Sequence, residues 1–469
     1  MYKKAADVIS QLPPEHEGDL LPEIRKTFLQ SDKTVVVFDD DPTGTQTCYD
    51  VIVLASWSAD LIAEELAKKP SILFILTNSR SLPEADAVRL TIEIGTNVNI
   101  AARQTGRQIV PISRSDSTLR GHFPAEVHAL AKALDMRDAV CVLLPAFIEG
   151  GRFTINDVHY IVEQEDLIPV ADTPFAKDKS FGYSHSNVRE WVEEKTTGTI
   201  KASDVMSISL DDIRSEGAQQ IAEKLFQSKP GNVVLVNAVS YRDLEVITIA
   251  VQLAELRGQR FLYRSSATFV PIRAGIAPGK IFTPLGSDFQ TENGSLIVVG
   301  SYVPKTTSQL EYLLAQKNHE NIEIDVNQVL SDNHVSKDAS AISQKIDQWL
   351  TEGKDVVVYT SRALAAGADA NESLKINSAV SNYLVALIQR LSVSPSFFIA
   401  KGGITSSDLA SKGLSSKKAH ILGQAIPGVP VWRLDSDSKF SKILYIVFPG
   451  NVGGTSALWE VWYRFKYKV

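Results

Sequence analysis

The segment Val35-Val36-Val37-Phe38-Asp39-Asp40-Asp41-Pro42-Thr43-Gly44-Thr45-Gln46 sets three adjacent carboxylates between an apolar run and a Pro-Thr-Gly turn. Three like charges side by side repel, so the cluster gains most from a metal, a bound cationic group or a proton to be transferred. Two more turns concentrate polar groups: Thr77-Asn78-Ser79-Arg80-Ser81 and Ser113-Arg114-Ser115-Asp116-Ser117-Thr118-Leu119-Arg120-Gly121. Their arginines Arg80, Arg114 and Arg120 carry forks of donors that suit a carboxylate or phosphate on a small substrate. Asp39, Asp40, Asp41 and Asp116, with the hydroxyls of Ser79, Ser81, Ser117 and Thr118, suit a polyol, one carboxylate taking its proton during transfer. A plainer role is open beside this one, with Arg114 or Arg120 neutralising Asp116 as a structural brace. His122 is left out, because a lone histidine is more often structural than catalytic.

The second half of the chain offers glycine turns instead: Gly300-Ser301, Lys401-Gly402-Gly403 and Gly450-Asn451-Val452-Gly453-Gly454. Glycine lets the backbone approach a ligand closely, and free N–H groups at such turns favour phosphate. Gly300-Ser301-Tyr302-Val303-Pro304-Lys305-Thr306 is not a P-loop, since it is one residue short and lacks the glycine before lysine. Three such turns, each after an apolar run, point to a nucleotide-phosphate pocket.

These turns need strands to hold them. The unbroken apolar runs 35–38, 72–76, 109–112 and 139–143 read as strands buried on both faces. Between them lie helical patterns at 59–69, 85–106 and 123–134. Strands alternating with helices predict an α/β fold with a mostly parallel sheet flanked by helices, its ligand beyond the carboxyl ends of the strands. The segment 150–200 is less regular, with Gly150-Gly151-Arg152-Phe153-Thr154 at its start, and reads as a lid or a dimer arm, which leaves a homodimer open. Residues 271–293 are rich in glycine and proline without helical periodicity. A second α/β block follows, with strands at 296–299, 355–360, 396–400 and 443–448. The expectation is therefore two domains, 1–285 and 290–469, each with its own sheet.

Length and composition agree. A chain of 469 residues exceeds one ordinary core, and 44% hydrophobic with 22% charged residues is a globular balance. A net charge of −7 argues against nucleic acid or an anionic membrane as the main partner. Cys48 and Cys141 make neither a disulfide framework nor a metal knuckle, and no residue is assigned as a metal ligand. Without the apolar core of a signal peptide at Met1–Asp7, and without an apolar stretch of ~18 residues, a cytoplasmic protein is expected.

At these motifs the chain resembles the four-carbon acid sugar kinase family, which phosphorylates threonate, erythronate or 3-oxo-tetronate with ATP. The matching elements are Asp40-Asp41-Pro42-Thr43-Gly44, Ser79-Arg80-Ser81, Asp116-Ser117-Thr118-Leu119-Arg120-Gly121 and Pro145-Ala146-Phe147. In the second half they are Gly300-Ser301, Gly402-Gly403-Ile404-Thr405-Ser406, Pro427-Gly428-Val429-Pro430-Val431-Trp432 and Gly450-Asn451-Val452-Gly453-Gly454. They stand in family order over residues 35–460. The resemblance implies a sugar-acid-binding N-terminal domain, a nucleotide-binding C-terminal domain and a site closing at the domain interface. It implies ATP contacts at Ser301, Gly402, Gly403, Ile404, Thr405, Gly450 and Asn451, with Mg2+ on the phosphates. Thr43, Gly44, Ser79, Arg80, Asp116, Ser117 and Arg120 fall to the sugar acid, and Asp41 or Asp40 to the base. Departures from the commoner family pattern are the third acid Asp39, Pro42, Ile404 in place of glutamate and Pro449 in place of serine.

A different reaction class also fits the acidic turn. Asp39-Asp40-Asp41-Pro42-Thr43-Gly44-Thr45 matches the haloacid-dehalogenase phosphatase pattern, with Asp39 as nucleophile and Asp41 as acid/base. That reading lacks the late acidic pair that holds Mg2+ and leaves the glycine turns unexplained.

Overall fold

A computed structural model describes residues 2–331, 335–362 and 370–469. Two compact units emerge, one of residues 1–47 with 57–278, the other of 48–56 with 279–469. The expected division at 285–290 therefore differs in one respect that matters: segment 48–56 belongs to the second unit. Its strand Val51–Leu54 runs antiparallel to Lys418–Ile426, with Val51 opposite Ile421 and Leu54 opposite Lys418. A ladder between segments more than 360 residues apart in sequence leaves no local periodicity to read.

The first unit is built on seven parallel strands. Their order is Met206–Ile208, Val233–Val236, Val140–Leu144, Phe261–Ser265, Gln108–Arg114, Lys33–Asp39, Ile72–Leu76. Val35 to Phe38, Ile72 to Leu76, Val140 to Leu144 and Val233 to Val236 are all buried, as an unbroken apolar run requires of a strand covered on both faces. The helix Glu84–Thr105 packs against both Ala59–Ala67 and Ala125–Ala133. Gly95 permits the second contact, since a Cβ there would stand 2.6 Å from that of Ala133.

Chain order fixes where a crevice opens. From Lys33–Asp39 the chain goes to Ile72–Leu76 on one side and then crosses to Gln108–Arg114 on the other. At such a reversal the two following loops part, and the carboxyl ends of the strands are left uncovered.

The irregular stretch is more ordered than its composition suggests. Arg152–Ile155, Val158–Glu163 and Asp166–Pro169 form an antiparallel meander, completed by Lys3–Lys4 from the N-terminus. Asn156 and Asp157 turn the first hairpin with φ of 49° and 66°, a pair of left-handed residues that matches the twist of the flanking strands. The helix Val188–Lys195 follows, capped by the Asn187 side chain on the N–H groups of Arg189 and Glu190.

The second unit has five parallel strands in the order Leu444–Phe448, Phe397–Lys401, Leu296–Val299, Val356–Thr360, Glu320–Ile324. The antiparallel strands Val429–Leu434, Lys418–Ile426 and Val51–Leu54 extend the Leu444–Phe448 side. The edge strand Glu320–Ile324 and the hairpin Lys418–Leu434 were not expected as strands. Glu320–Ile324 is polar and mostly uncovered, so it lacks the apolar run by which its neighbours are recognised. Here too the order reverses, between Leu296–Val299 and Phe397–Lys401. Trp462, Phe465, Phe397, Phe448 and Val431 meet in the core beneath.

Candidate functional site

In the first unit the crevice at the strand reversal is lined by the acidic turn and the Ser115–Gly121 turn. Asp39 ends its strand opposite Arg114. Arg114 Nη1 lies 3.1 Å from Asp39 Oδ1 and 3.4 Å from Asp40 Oδ1. Ser115 Oγ donates to Asp40 Oδ2 at 2.9 Å. Arg80 bridges the two turns: it pairs with Asp41 and lies 3.4 Å from Asp116 Oδ1 and 3.9 Å from Asp40 Oδ1. Arg120 Nε sits 2.8 Å from Asp116 Oδ2, and its Nη1 is 3.4 Å from Asp178.

Exposure separates the three carboxylates. The side chains of Asp39, Asp40 and Asp41 are 0%, 3% and 17% exposed. Burial pushes Asp39 up to about 7 against the pull of Arg114, and its Oδ2 is buried without a hydrogen-bond partner. Burial also acts on Asp41, but Arg80, Arg114 and the Thr43 hydroxyl and N–H outweigh it and hold the carboxyl below the usual carboxylate range. Asp116 is likewise held below the usual carboxylate range, burial being outweighed by Arg120 and Arg80. Asp41 is thus the ionised, partly open carboxylate of the turn. Asp39 lies packed under Gly44, where a Cβ would collide with its carboxylate. A carboxylate so enclosed has no room to attack a phosphate, which removes the structural basis for Asp39 as a phosphatase nucleophile.

The 150–200 segment grips the site turn. His159 Nε2 donates to Ser117 O at 2.8 Å, and Tyr183 Oη donates to Thr118 O at 2.7 Å. A carbonyl can only accept, so Nε2 carries the proton and Nδ1 accepts from Thr154 Oγ1 at 3.0 Å. Burial lowers His159 to about 4, which keeps the ring neutral for this task. The Arg120 guanidinium lies over Phe175, 4.9 Å from the ring centroid.

In the second unit three glycine turns meet at adjacent strand ends. A Cβ on Gly402 would stand 3.0 Å from Ser301 Cβ, and one on Gly450 would stand 3.0 Å from Ser301 Oγ. Thr405 fills the space over Gly300, where any side chain would collide with it. Gly402 has φ +121°, a region that L side chains rarely adopt, so this turn position demands glycine, as does Gly453 at φ +84°. Thr306 Oγ1 ties the turns together, donating to Gly450 O at 2.8 Å and lying 3.3 Å from Ser301 Oγ. Arg362 Nη1 donates to Ser301 O at 2.7 Å. Lys305 is exposed on the first turn of Pro304–Ala315, a helix whose N-cap Val303 offers no side-chain cap. Lys401, wholly buried, donates from Nζ to Pro449 O at 2.5 Å. The result is a cradle of backbone edged by cations, which suits phosphate.

Most residues singled out from the sequence come together in one or other of these places, with exceptions. Ser79 is fully buried, its hydroxyl donating to Glu126 at 2.5 Å and lying 3.0 Å from Thr77 Oγ1, so it supports the turn and faces no ligand. Gly44 serves the close approach to Asp39, and Thr43 holds Asp41. The brace foreseen for Asp116 is made by Arg120, whereas Arg114 pairs with Asp39 and Asp40. Asp116, Ser117 and Arg120 are partly open, as are Gly403 and Thr405; Ile404 and Asn451 are exposed. His122 is buried with Nε2 3.0 Å from Leu82 O, a structural place. The sequence reading missed Arg152, Arg362, Lys305 and His159. Arg362 was within reach, since it follows the Val356–Thr360 strand as Arg80 and Ser301 follow theirs.

The described residues include no group of three or more His, Cys, Asp or Glu side chains set to hold a metal, and no helix long and apolar enough to cross a membrane.

Comparison with known proteins agrees with this division. A sugar-binding N-terminal domain model matches residues 35–272, and a nucleotide-binding C-terminal domain model matches 296–458. The D-threonate kinase of Salmonella typhimurium LT2 is 24% identical over 445 residues, covering 92% of this chain and 97% of that protein. A Haemophilus influenzae protein from a domain family of unknown function shares the fold, with a TM-score of 0.61 at 19% identity over 92% of this chain and 100% of its own. So does a Salmonella typhimurium LT2 protein described as a putative tRNA synthase, with a TM-score of 0.66 at 17% identity over 93% and 98%. Nothing in these comparisons supports the phosphatase alternative. With an acidic, arginine-bridged crevice in one unit, a glycine cradle in the other and both domain models in register with them, this chain belongs to the four-carbon acid sugar kinase family.

Proposed function

We propose that the protein is an ATP-dependent kinase that phosphorylates a hydroxyl of a small sugar acid: threonate, erythronate, 3-oxo-tetronate or a related acid. The observation that carries this reading is the pairing of two unlike sites on one chain. The first unit has a polyol-type crevice with an ionised, partly open carboxylate, Asp41. The second has a backbone cradle at Gly402 and Gly450 edged by Lys305 and Arg362. Likeness to a D-threonate kinase supports the substrate class.

In this reading Asp41 accepts the proton of the acceptor hydroxyl. Arg80 on Oδ2, and the Thr43 N–H and hydroxyl on Oδ1, fix the carboxylate and keep it ionised, and Oδ2, with one partner, keeps a free lone pair. Asp40, closed in by Arg114 and Ser115, supports the turn. Asp116 and Ser117 orient the other hydroxyls. Ser301, Gly402, Gly403, Thr405, Gly450, Lys305 and Arg362 hold the triphosphate, which supplies the phosphoryl group when bound. Mg2+ would be carried by those phosphates, there being no metal-ligand cluster among the described side chains.

Purified protein offered ATP and a panel of four-carbon and branched five-carbon sugar acids should release ADP with at least one of them. Phosphatase turnover without ATP, and no ADP from any acid, would sink the proposal.

A further inference from the structure

Resting on the sugar-acid reading, one further residue acquires a role. Arg152 leads the first strand of the 150–200 segment and is fixed by two backbone bonds to Phe147. Phe147 N–H donates to Arg152 O and Arg152 N–H to Phe147 O, both at 2.9 Å. Phe147 follows directly from the carboxyl end of Val140–Leu144, so Arg152 is held at the same edge of the sheet as the acidic turn. Its guanidinium carbon lies 5.8 Å from the centroid of the Phe147 ring. Asp116 and, more weakly, Glu163 attract it and Arg120 repels it, which puts it in the electrostatic reach of the site turn.

Its neighbours are all committed. Arg80 serves Asp40, Asp41 and Asp116; Arg114 serves Asp39 and Asp40; Arg120 serves Asp116 and Asp178; Arg264 lies 3.3 Å from Glu126. Arg152 has no carboxylate within ion-pair distance among the described residues. Of its five donors, Nη1 reaches Gly150 O, and Nε is buried with no acceptor. A buried, under-satisfied guanidinium with no carboxylate in contact is costly unless an anion arrives from outside. The anionic end of a sugar acid is repelled by Asp40, Asp41 and Asp116 and finds Arg80, Arg114 and Arg120 each already paired with carboxylates.

We infer that Arg152 is the receptor for the carboxylate of the substrate, and so the residue that makes this crevice select acids over neutral polyols.

The test compares wild type, Arg152→Gln and Arg152→Lys for binding of the preferred acid and of its primary amide, which has the same shape without the charge. Calorimetry should show acid affinity falling about 10- to 100-fold in Arg152→Gln, as expected for loss of a charge-assisted pair. Amide affinity should change less than about 3-fold by the same argument, since the amide gains nothing from the charge. Arg152→Lys, which keeps the charge and loses the fork, should fall between. In turnover the loss should appear in KM for the acid, with kcat and ATP affinity near wild type. Added guanidinium should restore acid binding to Arg152→Ala, which a merely structural role would not allow. Equal acid affinity in wild type and Arg152→Gln overturns the inference and leaves the kinase standing. Parallel losses of acid and amide also overturn it. If wild type binds no sugar acid at all, the substrate class falls and this role with it.

Discussion

Lys401 gives the sharpest physical test of the second unit. It ends the Phe397–Lys401 strand with 0% exposure, its ammonium 4.0 Å from the Phe448 ring centroid and bonded to Pro449 O. Burial first, and Lys305 second, lower it from the ordinary 10.5 to about 6. At pH 7.5 the amine is then neutral in the folded chain and charged in the unfolded one. Three pH units of forced deprotonation, from 10.5 down to 7.5, cost ~4 kcal/mol at ~1.4 kcal/mol each. The sign follows from the proton count. Between about pH 6 and 10.5 the unfolded chain binds the extra proton, so this group makes stability rise with pH, and below about 6 its contribution is flat. Lys401→Met abolishes that slope and gives up one hydrogen bond worth ~1 kcal/mol. The variant should therefore be more stable than wild type by ~3 kcal/mol at pH 7.5, the gap closing to near zero by about pH 9.5. Urea titrations at pH 6.5, 7.5, 8.5 and 9.5 would follow Trp432, Trp459 and Trp462, all in the second unit. A gap independent of pH, or a variant less stable throughout, would show that Lys401 is charged in the folded protein and refute the reasoning.

Three other outcomes are expected. Asp41→Asn should cut kcat by ~10²–10⁴ with ATP affinity intact, whereas Asp39→Asn should cost less, and an Asp39 variant alone losing turnover would move the chemistry to the wrong residue. Arg80→Gln frees Asp41 from the main charge holding it below the usual carboxylate range, so the acidic limb of the kcat/KM profile should shift to higher pH; an unmoved limb would exclude Asp41 as the titrating base. Gly450→Val places a branched side chain 3.0 Å or closer to Ser301 Oγ and should weaken nucleotide binding by calorimetry, with sugar-acid binding retained; normal ATP affinity in a folded variant would mean the cradle lies elsewhere.

Much of the architecture was legible because burial on both faces writes itself into composition. The run Ile72–Leu76 is a strand over the range its apolar residues mark; Lys33–Asp39 extends its run at both ends, Val140–Leu144 is shifted by one residue and Leu444–Phe448 starts one residue later. The strand-end rule also put the acidic and glycine turns at the sheet edges, since a turn after a buried strand must surface there. Partnership was not legible. Residues 48–56 change units through a ladder to Lys418–Ile426, and the Arg152–Pro169 meander gathers Lys3–Lys4 from far upstream. Nor could the sequence say which arginine is spent. Arg80, Arg114, Arg120 and Arg152 are the same side chain, and the first three lie within a few residues of an acid in sequence or at a neighbouring strand end. Whether a guanidinium is paired depends on ångström distances across the crevice, set by how strands from five separate segments align. The sequence by itself determined which groups reach the edge of each sheet; the tertiary structure decided which carboxylate is shut in, which stays ionised and open, and which arginine of the crevice has no carboxylate in contact among the described residues, because Coulomb and desolvation energies follow distance and burial, and neither is a property of one segment of chain.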